Sequence, residues 1–303
     1  MSQASLFSKP LCLIALFAGL AHAESAPTAG KTEVPKFKKV VVVLFENEDI
    51  DKPLSRPFFS RLAKDGALLT NYHAVSHPSE PNYIALTSGD LNGVSDDRNY
   101  DLDVRHLGDL LEEKGKTWKN YAEGFPGGCF KGMKKGRYVR KHTPFMSYVN
   151  VQNSPARCKN IVNADQFGND LAKGILPDFS FFTPDMDNDG HDTDIQTSDA
   201  WFAKTFGPLL NDSRFKDVLL VATFDENACN TVGPHIRKEK LQKCQGDSNI
   251  VFTAFYGAGV KRGVTSTTNY NHYSLLKTIE AGFDLGSLGK NDATASTITG
   301  IWE

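Results

Sequence analysis

Lys39-Val40-Val41-Val42-Val43-Leu44-Phe45-Glu46-Asn47 is a lysine, six apolar residues and then an acid–amide pair. Four consecutive valines disfavour a helix, because β-branched side chains are stiff against the preceding turn. An unbroken apolar run of this length instead suits a strand buried on both faces, as in a parallel sheet. Phe179–Thr183 (FSFFT), Val218–Phe224 (VLLVATF) and Ile250–Tyr256 have the same character. Helical patterns lie among these runs at Phe58–Lys64, Val104–Lys114, Ala164–Lys173, Asp199–Leu210 and Tyr273–Ala281. Strands mixed with helices in this way predict an α/β fold, a largely parallel central sheet flanked by helices.

In such sheets the binding crevice lies beyond the carboxyl ends of the strands. The first run delivers Glu46 and Asn47 there, and VLLVATF delivers Asp225 and Glu226. FSFFT runs into Pro184-Asp185-Met186-Asp187-Asn188-Asp189-Gly190-His191-Asp192. Carboxylates gathered at one edge repel one another unless a cation neutralises them. Each alone also reads as an ordinary cap or turn residue. Asp187 and His191, on a turn containing Gly190, can converge on one metal, and mixed oxygen and nitrogen donors suit zinc, manganese or iron better than calcium. A competing pattern exists, since Asp185, Asp187, Asp189 and Gly190 occupy positions 1, 3, 5 and 6 of a calcium loop. Its position 12 is Gln196 rather than a bidentate Glu, and the segment follows a strand.

Ser76-His77-Pro78-Ser79-Glu80-Pro81-Asn82-Tyr83 holds the candidate nucleophile, Ser79, with a helix-capable stretch after it. A serine at a helix start sits where backbone N–H groups and the helix dipole favour a phosphoryl anion. Metal coordination is one way to activate its hydroxyl. The competing reading makes Ser79 a helix N-cap. No G-x-S-x-G elbow is present, which argues against the usual serine-triad hydrolase.

The 303-residue chain opens with a secretory pattern. Lys9 is the only charge before Glu24, Leu11–Leu20 is apolar, and Ala21-His22-Ala23 is a small-x-small cleavage signal. Residues 1–23 are therefore expected to be a signal peptide, 24–36 a flexible lead-in, and 37–303 one enzyme domain. A periplasmic or secreted location follows, with no stable membrane anchor. Of five cysteines, Cys12 falls in the signal peptide, and the remaining four favour two disulfides. Neighbour pairing gives Cys129–Cys158 and Cys229–Cys244. A net charge of −2 offers no field for nucleic acid. The basic run Lys131, Lys134, Lys135, Arg137, Arg140 and Lys141 reads either as a solvated loop or as attraction of anionic substrates into a nearby cleft. Oligomeric state has no signature.

LFENEDI, HPSEPNYIALTSGD, FFTPDMDNDGHDT, TFDEN and YNHYSLLKTIE, in this order from Leu44 to Glu280, resemble the phosphoesterase family of bacterial and fungal acid phosphatases and phospholipases C. That family is similar to alkaline phosphatase. The resemblance implies metal ligands at strand ends and a covalent phosphoryl-enzyme. It implies Glu46 and Asn47 as the acid–amide pair, Ser79 as nucleophile, and Asp225 and Glu226 as the carboxylate pair. Asp187-x-x-Gly190-His191 resembles a metal-binding segment of nucleotide pyrophosphatases, and His272 resembles the late histidine that completes such a site. Two-zinc relatives usually carry Asp-His where this chain has Asp225-Glu226, and Asp in place of Glu46, so zinc, manganese, iron and calcium stay open, as does the number of ions, one or two. His235 is a weaker candidate ligand.

The expected activity is hydrolysis of a phosphate monoester through phosphoserine at Ser79. Metal is expected at Glu46, Asn47, Asp225 and Glu226, with Asp187, His191 and His272 on the leaving-group side. Asn47 and Asn82 are expected to donate to phosphate oxygens, and His77 to touch substrate or protonate the leaving group. A phosphodiesterase or phospholipase C on the same site and a non-catalytic calcium-stabilised binding protein are the alternatives. A sulfatase-like reading fails for lack of the arginine of C/S-x-P-S/A-R.

Overall fold

Valine-rich β1 (Lys39–Phe45) lies at the centre of an eight-stranded sheet, hydrogen-bonded to β8 (Phe179–Thr183) and β9 (Val218–Phe224), both parallel to it. The computed structural model describes Met1 and residues 34–229 and 248–303. The signal peptide, most of the lead-in, His235 and Cys244 lie outside the described residues.

The remaining strands are β2 (Ala67–Leu69), β3 (Tyr72–His73), β4 (Trp118–Ala122), β5 (Lys134–Lys135), β6 (Tyr138–Val139), β7 (Ile161–Asn163), β10 (Thr253–Gly257), β11 (Val264–Ser266) and β12 (Tyr270–Asn271). The main sheet runs β11-β2-β10-β9-β1-β8-β4-β7, and β10 alone is antiparallel to its neighbours. The α/β, mostly parallel expectation therefore holds. Seven residues of β1 and seven of β9 are buried or nearly so, which is why their sequences are continuous rather than alternating.

Aromatic side chains fasten helices to the sheet. Phe45 meets Phe59 and Phe202 edge-on with centroids 5.0 Å apart in both pairs. Phe59 lies on helix Pro57–Asp65 and Phe202 on helix Ile195–Phe206. The second of these helices begins and ends before the predicted Asp199–Leu210. Asp194 caps it by accepting from Thr197 N, and Gly207-Pro208 ends it. Asp199 sits inside this helix and accepts from the N–H groups of Phe58 and Phe59 at 2.9 Å, capping its neighbour instead. Cys129–Cys158 forms as expected. Cys229 is also disulfide-bonded.

Candidate active site

β1 and β9 end side by side, so Glu46 and Asp225 emerge at one edge, and both are fully buried, as is Glu226. Asn47 turns the chain at φ 54°, a left-handed conformation that asparagine tolerates better than most residues. Its backbone N–H donates to Asp225 Oδ1 at 3.2 Å. Across the edge stands helix Ser79–Ser88, whose N-cap is Pro78. Ser79 is the first helical residue, and no side chain caps this helix. Its hydroxyl donates to Glu46 Oε2 at 2.9 Å and lies 3.4 Å from Glu226 Oε1. The cap reading of Ser79 is thereby replaced by a buried hydroxyl held between two carboxylates.

The loop before this helix is fixed by Asn82. Its Oδ1 accepts from Val75 N and Ser76 N at 3.0 Å, and its Nδ2 donates to the carbonyls of Ser76 and Pro78. The amide is fully committed to the loop, so Asn82 has no spare donor for the substrate role expected of it. His77 is partly exposed and its Nδ1 donates to Glu226 Oε2.

A histidine that sequence reasoning missed completes the cluster. His142 is buried, with Nε2 3.0 Å from Glu46 Oε1 and Nδ1 3.2 Å from Asp189 Oδ2. Burial alone would lower its pKa, but the facing Glu46 and Asp189 carboxylates raise it to about 9. A carboxylate oxygen close to each ring nitrogen favours the imidazolium form. Tyr83 stacks on it at 5.1 Å and donates its hydroxyl to Glu46 Oε1 at 2.6 Å. Lys141 reaches in beside it, paired with Asp97 at 2.9 Å. Burial would raise the Glu46 pKa, yet His142, with help from Lys141 and His191, holds it well below the usual carboxylate range. Asp225 moves the other way: burial, then repulsion from Glu46 and Glu226, drives its pKa far up. Glu226 is also raised, by burial first, with His77 opposing.

The loop after β8 contributes Asp189, not Asp187. Asp189 is buried, accepts from His191 N at 2.8 Å and has its pKa lifted to about 6, chiefly by burial, against the pull of His142. Asp187 is half exposed and points to Arg137. His191 lies 6.3 Å from the His142 ring, partly exposed, with Nδ1 on Asp192 at 2.8 Å. His272 is buried behind the site. Its Nε2 donates to the Asp225 carbonyl at 2.7 Å, leaving Nδ1 to accept from the Tyr72 hydroxyl at 3.1 Å. Burial holds the ring neutral, with a pKa of about 4. Both nitrogens are taken, so His272 supports the Asp225 backbone and has no lone pair to offer a metal.

Among the described residues no three His, Cys, Asp or Glu side chains meet as a ready ligand group. The converging atoms are nevertheless oxygens, and two of them, Asn47 Oδ1 and Asp225 Oδ2, are buried without a hydrogen-bond partner. Orphaned acceptors are uncommon, and an ion is one of their standard explanations. An oxygen set of Glu46, Asn47, Asp225 and the Ser79 hydroxyl fits a hard divalent cation. A cleft of about 560 Å³ between Phe125 and Gln166 shares no residue with this cluster.

The phosphoesterase family model matches residues 52–286. The chain is 38% identical over 288 residues to a probable acid phosphatase of Kluyveromyces lactis, covering 91% of this chain and 65% of that protein. It is 34% identical over 275 residues to an acid phosphatase of Aspergillus fumigatus, covering 86% and 58%. The chain thus spans less than two thirds of the length of these fungal relatives. It is 33% identical over 276 residues to a phosphatidylinositol-3-phosphatase of Mycobacterium tuberculosis, covering 89% and 84%. Among solved structures, a protein of the alkaline phosphatase superfamily from Vibrio parahaemolyticus aligns with a TM-score of 0.58 at 14% identity, over 86% of this chain and 71% of that one. A murine ectonucleotide pyrophosphatase/phosphodiesterase 5 aligns with a TM-score of 0.52 at 13% identity, over 84% and 97%. These two likenesses speak for the fold alone. The family match runs from before Ser79 to beyond Glu226, and the chain belongs to the phosphoesterase family.

Proposed function

We propose that the chain is an exported phosphatase that hydrolyses phosphate monoesters through a phosphoserine at Ser79. The observation that carries this reading is the Ser79 hydroxyl itself, buried at a helix start and hydrogen-bonded to Glu46 at 2.9 Å. The names of the fungal relatives support the acid phosphatase activity. Export rests on the N-terminal pattern and on the Cys129–Cys158 disulfide, which persists in oxidising compartments.

Glu46, Asn47, Asp225 and Glu226 would hold a divalent ion. Bound there, it would lower the pKa of the Ser79 hydroxyl and offset phosphate charge. Ser79 Oγ passes its proton to Glu226 Oε1, 3.4 Å away, and bonds to phosphorus, while the ester P–O bond breaks. The leaving alcohol takes a proton from His77 or His191, the two partly exposed imidazoles at the rim. Water then attacks the phosphoserine, releasing phosphate and restoring the hydroxyl. The His142 imidazolium keeps Glu46 ionised as a hydrogen-bond acceptor throughout. Helix N–H groups and positive side chains favour the phosphoryl anion.

The test is release of p-nitrophenol from its phosphate monoester and diester, with and without chelator. Turnover of the monoester in preference to the diester, lost on chelation and restored by one divalent ion, is expected. Full activity in a metal-free sample would contradict the cation assignment. A second reading, a lipid phosphomonoester as substrate, is favoured by the extent of the match to the phosphatidylinositol-3-phosphatase.

A further inference from the structure

The hairpin of β5 and β6 turns through Gly136 and Arg137, with Lys135 paired to Tyr138. Gly136 has φ 60°, the positive value that a two-residue hairpin turn needs. On this hairpin and the loop leading to it, Lys131, Met133, Lys134 and Lys135 are all exposed. The other basic residues of the run are neutralised. Arg137 pairs with Asp187 and Asp192, Arg140 with Asp101, and Lys141 with Asp97. Among the described residues no ion pair forms at Lys131, Lys134 or Lys135. Three lysines without a direct ion pair therefore flank Met133 along the chain, and Met133 is 57% exposed.

One exposed apolar side chain is normal on any protein surface. Its placement gives this one meaning. Arg140 N donates to the Met133 carbonyl at 2.9 Å, and Arg140 Nη1 donates to the Lys131 carbonyl at 3.0 Å. Arg140 opens the short helix Arg140–His142 that carries His142 into the site. His142 is two residues on, so Met133 lies on the order of a dozen ångströms from it at about 3.8 Å per residue. The basic, methionine-tipped surface thus stands at the side of the catalytic cluster and is stapled to it by Arg140.

We propose that the Lys131–Lys135 face of this hairpin docks on an anionic phospholipid surface. Lysines are drawn to such a surface and can keep their heads at headgroup level while the stems lie flat. Met133 enters the boundary between headgroups and acyl chains, where an apolar side chain gains. A soluble polyanion would satisfy the lysines but leave Met133 in water, which favours the bilayer as the occupant. Docking is a property of this face alone. Its consequence, delivery of lipid phosphomonoester headgroups to Ser79, rests on the function proposed above.

Co-sedimentation with vesicles tests it. Phosphatidylcholine vesicles should not bind the protein, whereas vesicles with about 30 mol% phosphatidylglycerol should bind it at low salt and release it as salt rises. The triple variant Lys131→Glu, Lys134→Glu, Lys135→Glu should lose about a hundredfold in partitioning. Met133→Ser should lose about fivefold with the salt dependence unchanged, and should hydrolyse p-nitrophenyl phosphate as the parent does. Thermal melting confirms that both variants fold. The proposal is overturned if the parent ignores anionic vesicles at low salt, if the triple variant binds them like the parent, or if the parent is retained by heparin but not by vesicles. Vesicle binding is read without substrate, so failure of the phosphatase reading and failure of docking are separate results.

Discussion

Two of the regions that bury carboxylates in this molecule do so to different ends. Around Ser79, three fully buried acids face an imidazolium, a lysine and a second histidine, with two orphaned oxygens among them. Around Glu280, on helix His272–Phe283, the partner acid is Asp292, which accepts from Leu288 N at 2.8 Å and Lys290 N at 2.9 Å and from the Ser287 hydroxyl. Asp292 is satisfied by its own loop and stays ionised. Glu280 has only Lys277 at 3.8 Å and a pKa raised to about 8, by burial first and then by Asp292. The first region gathers opposite charges about the Ser79 hydroxyl, the proposed nucleophile. In the second, burial raises the pKa of the odd carboxyl and loop N–H groups hold its partner Asp292. Both Glu280 oxygens are also buried without a hydrogen-bond partner, so neither buried acids nor orphaned oxygens alone mark a site; a serine hydroxyl and opposite charges beside them do.

The largest expected effect is on turnover in the first region. Ser79→Ala should cost several orders of magnitude in kcat while the melting temperature stays near the parent's, as for other covalent nucleophiles. A variant within tenfold of the parent would return Ser79 to a structural role. His142→Ala should follow. It leaves Glu46 and Asp189 without their shared counter-charge, so a loss of about 3 kcal/mol in denaturant unfolding is expected, with turnover down on the order of a hundredfold. An unchanged melting curve would mean that the ion pairs at 3.0 and 3.2 Å carry nothing.

His142 also marks what the sequence could not convey. β1, β9 and the Ser79 segment were legible because continuous apolar runs and a proline-bracketed serine are local signals. His142 arrives on a single short helical turn after a charged hairpin, with no periodicity to set it apart. Only the tertiary fold brings it to Glu46. In the loop after β8, spacing favoured Asp187 with His191, but the turn sends Asp187 outward to Arg137 and Asp189 inward to His142. His272 was read as a ligand from its place in the chain order, and its two hydrogen bonds, visible only in three dimensions, exclude that. Asn82, expected to donate to a phosphate oxygen, instead commits its amide to the loop before the helix.

Smaller effects sharpen the second half of the comparison. Cys129→Ser with Cys158→Ser opens the loop, of sequence separation 29, that carries Lys141 and His142, and should cost about 3 kcal/mol, with kcat kept at a temperature where the variant stays folded. Glu280→Gln should change only the pH dependence of stability. A carboxyl whose folded pKa is raised to about 8 binds its proton more tightly folded than unfolded. Its contribution is full below the unfolded value and is lost as pH rises through the folded one, at up to about 1.4 kcal/mol per pH unit. The variant should therefore melt later than the parent at pH 8 and much like it at pH 4, with vesicle binding and turnover unaffected. Equal melting shifts at both pH values would show that Glu280 is already ionised.

The central claim is a covalent bond between Ser79 Oγ and phosphorus, and acid quenching during steady turnover of p-nitrophenyl phosphate, followed by peptide mapping, tests it most directly. The account predicts phosphate on the peptide containing Ser79, absent from Ser79→Ala and undiminished in Ser76→Ala. Phosphate on any other residue, or none at any quench time while p-nitrophenol is being released, would contradict it.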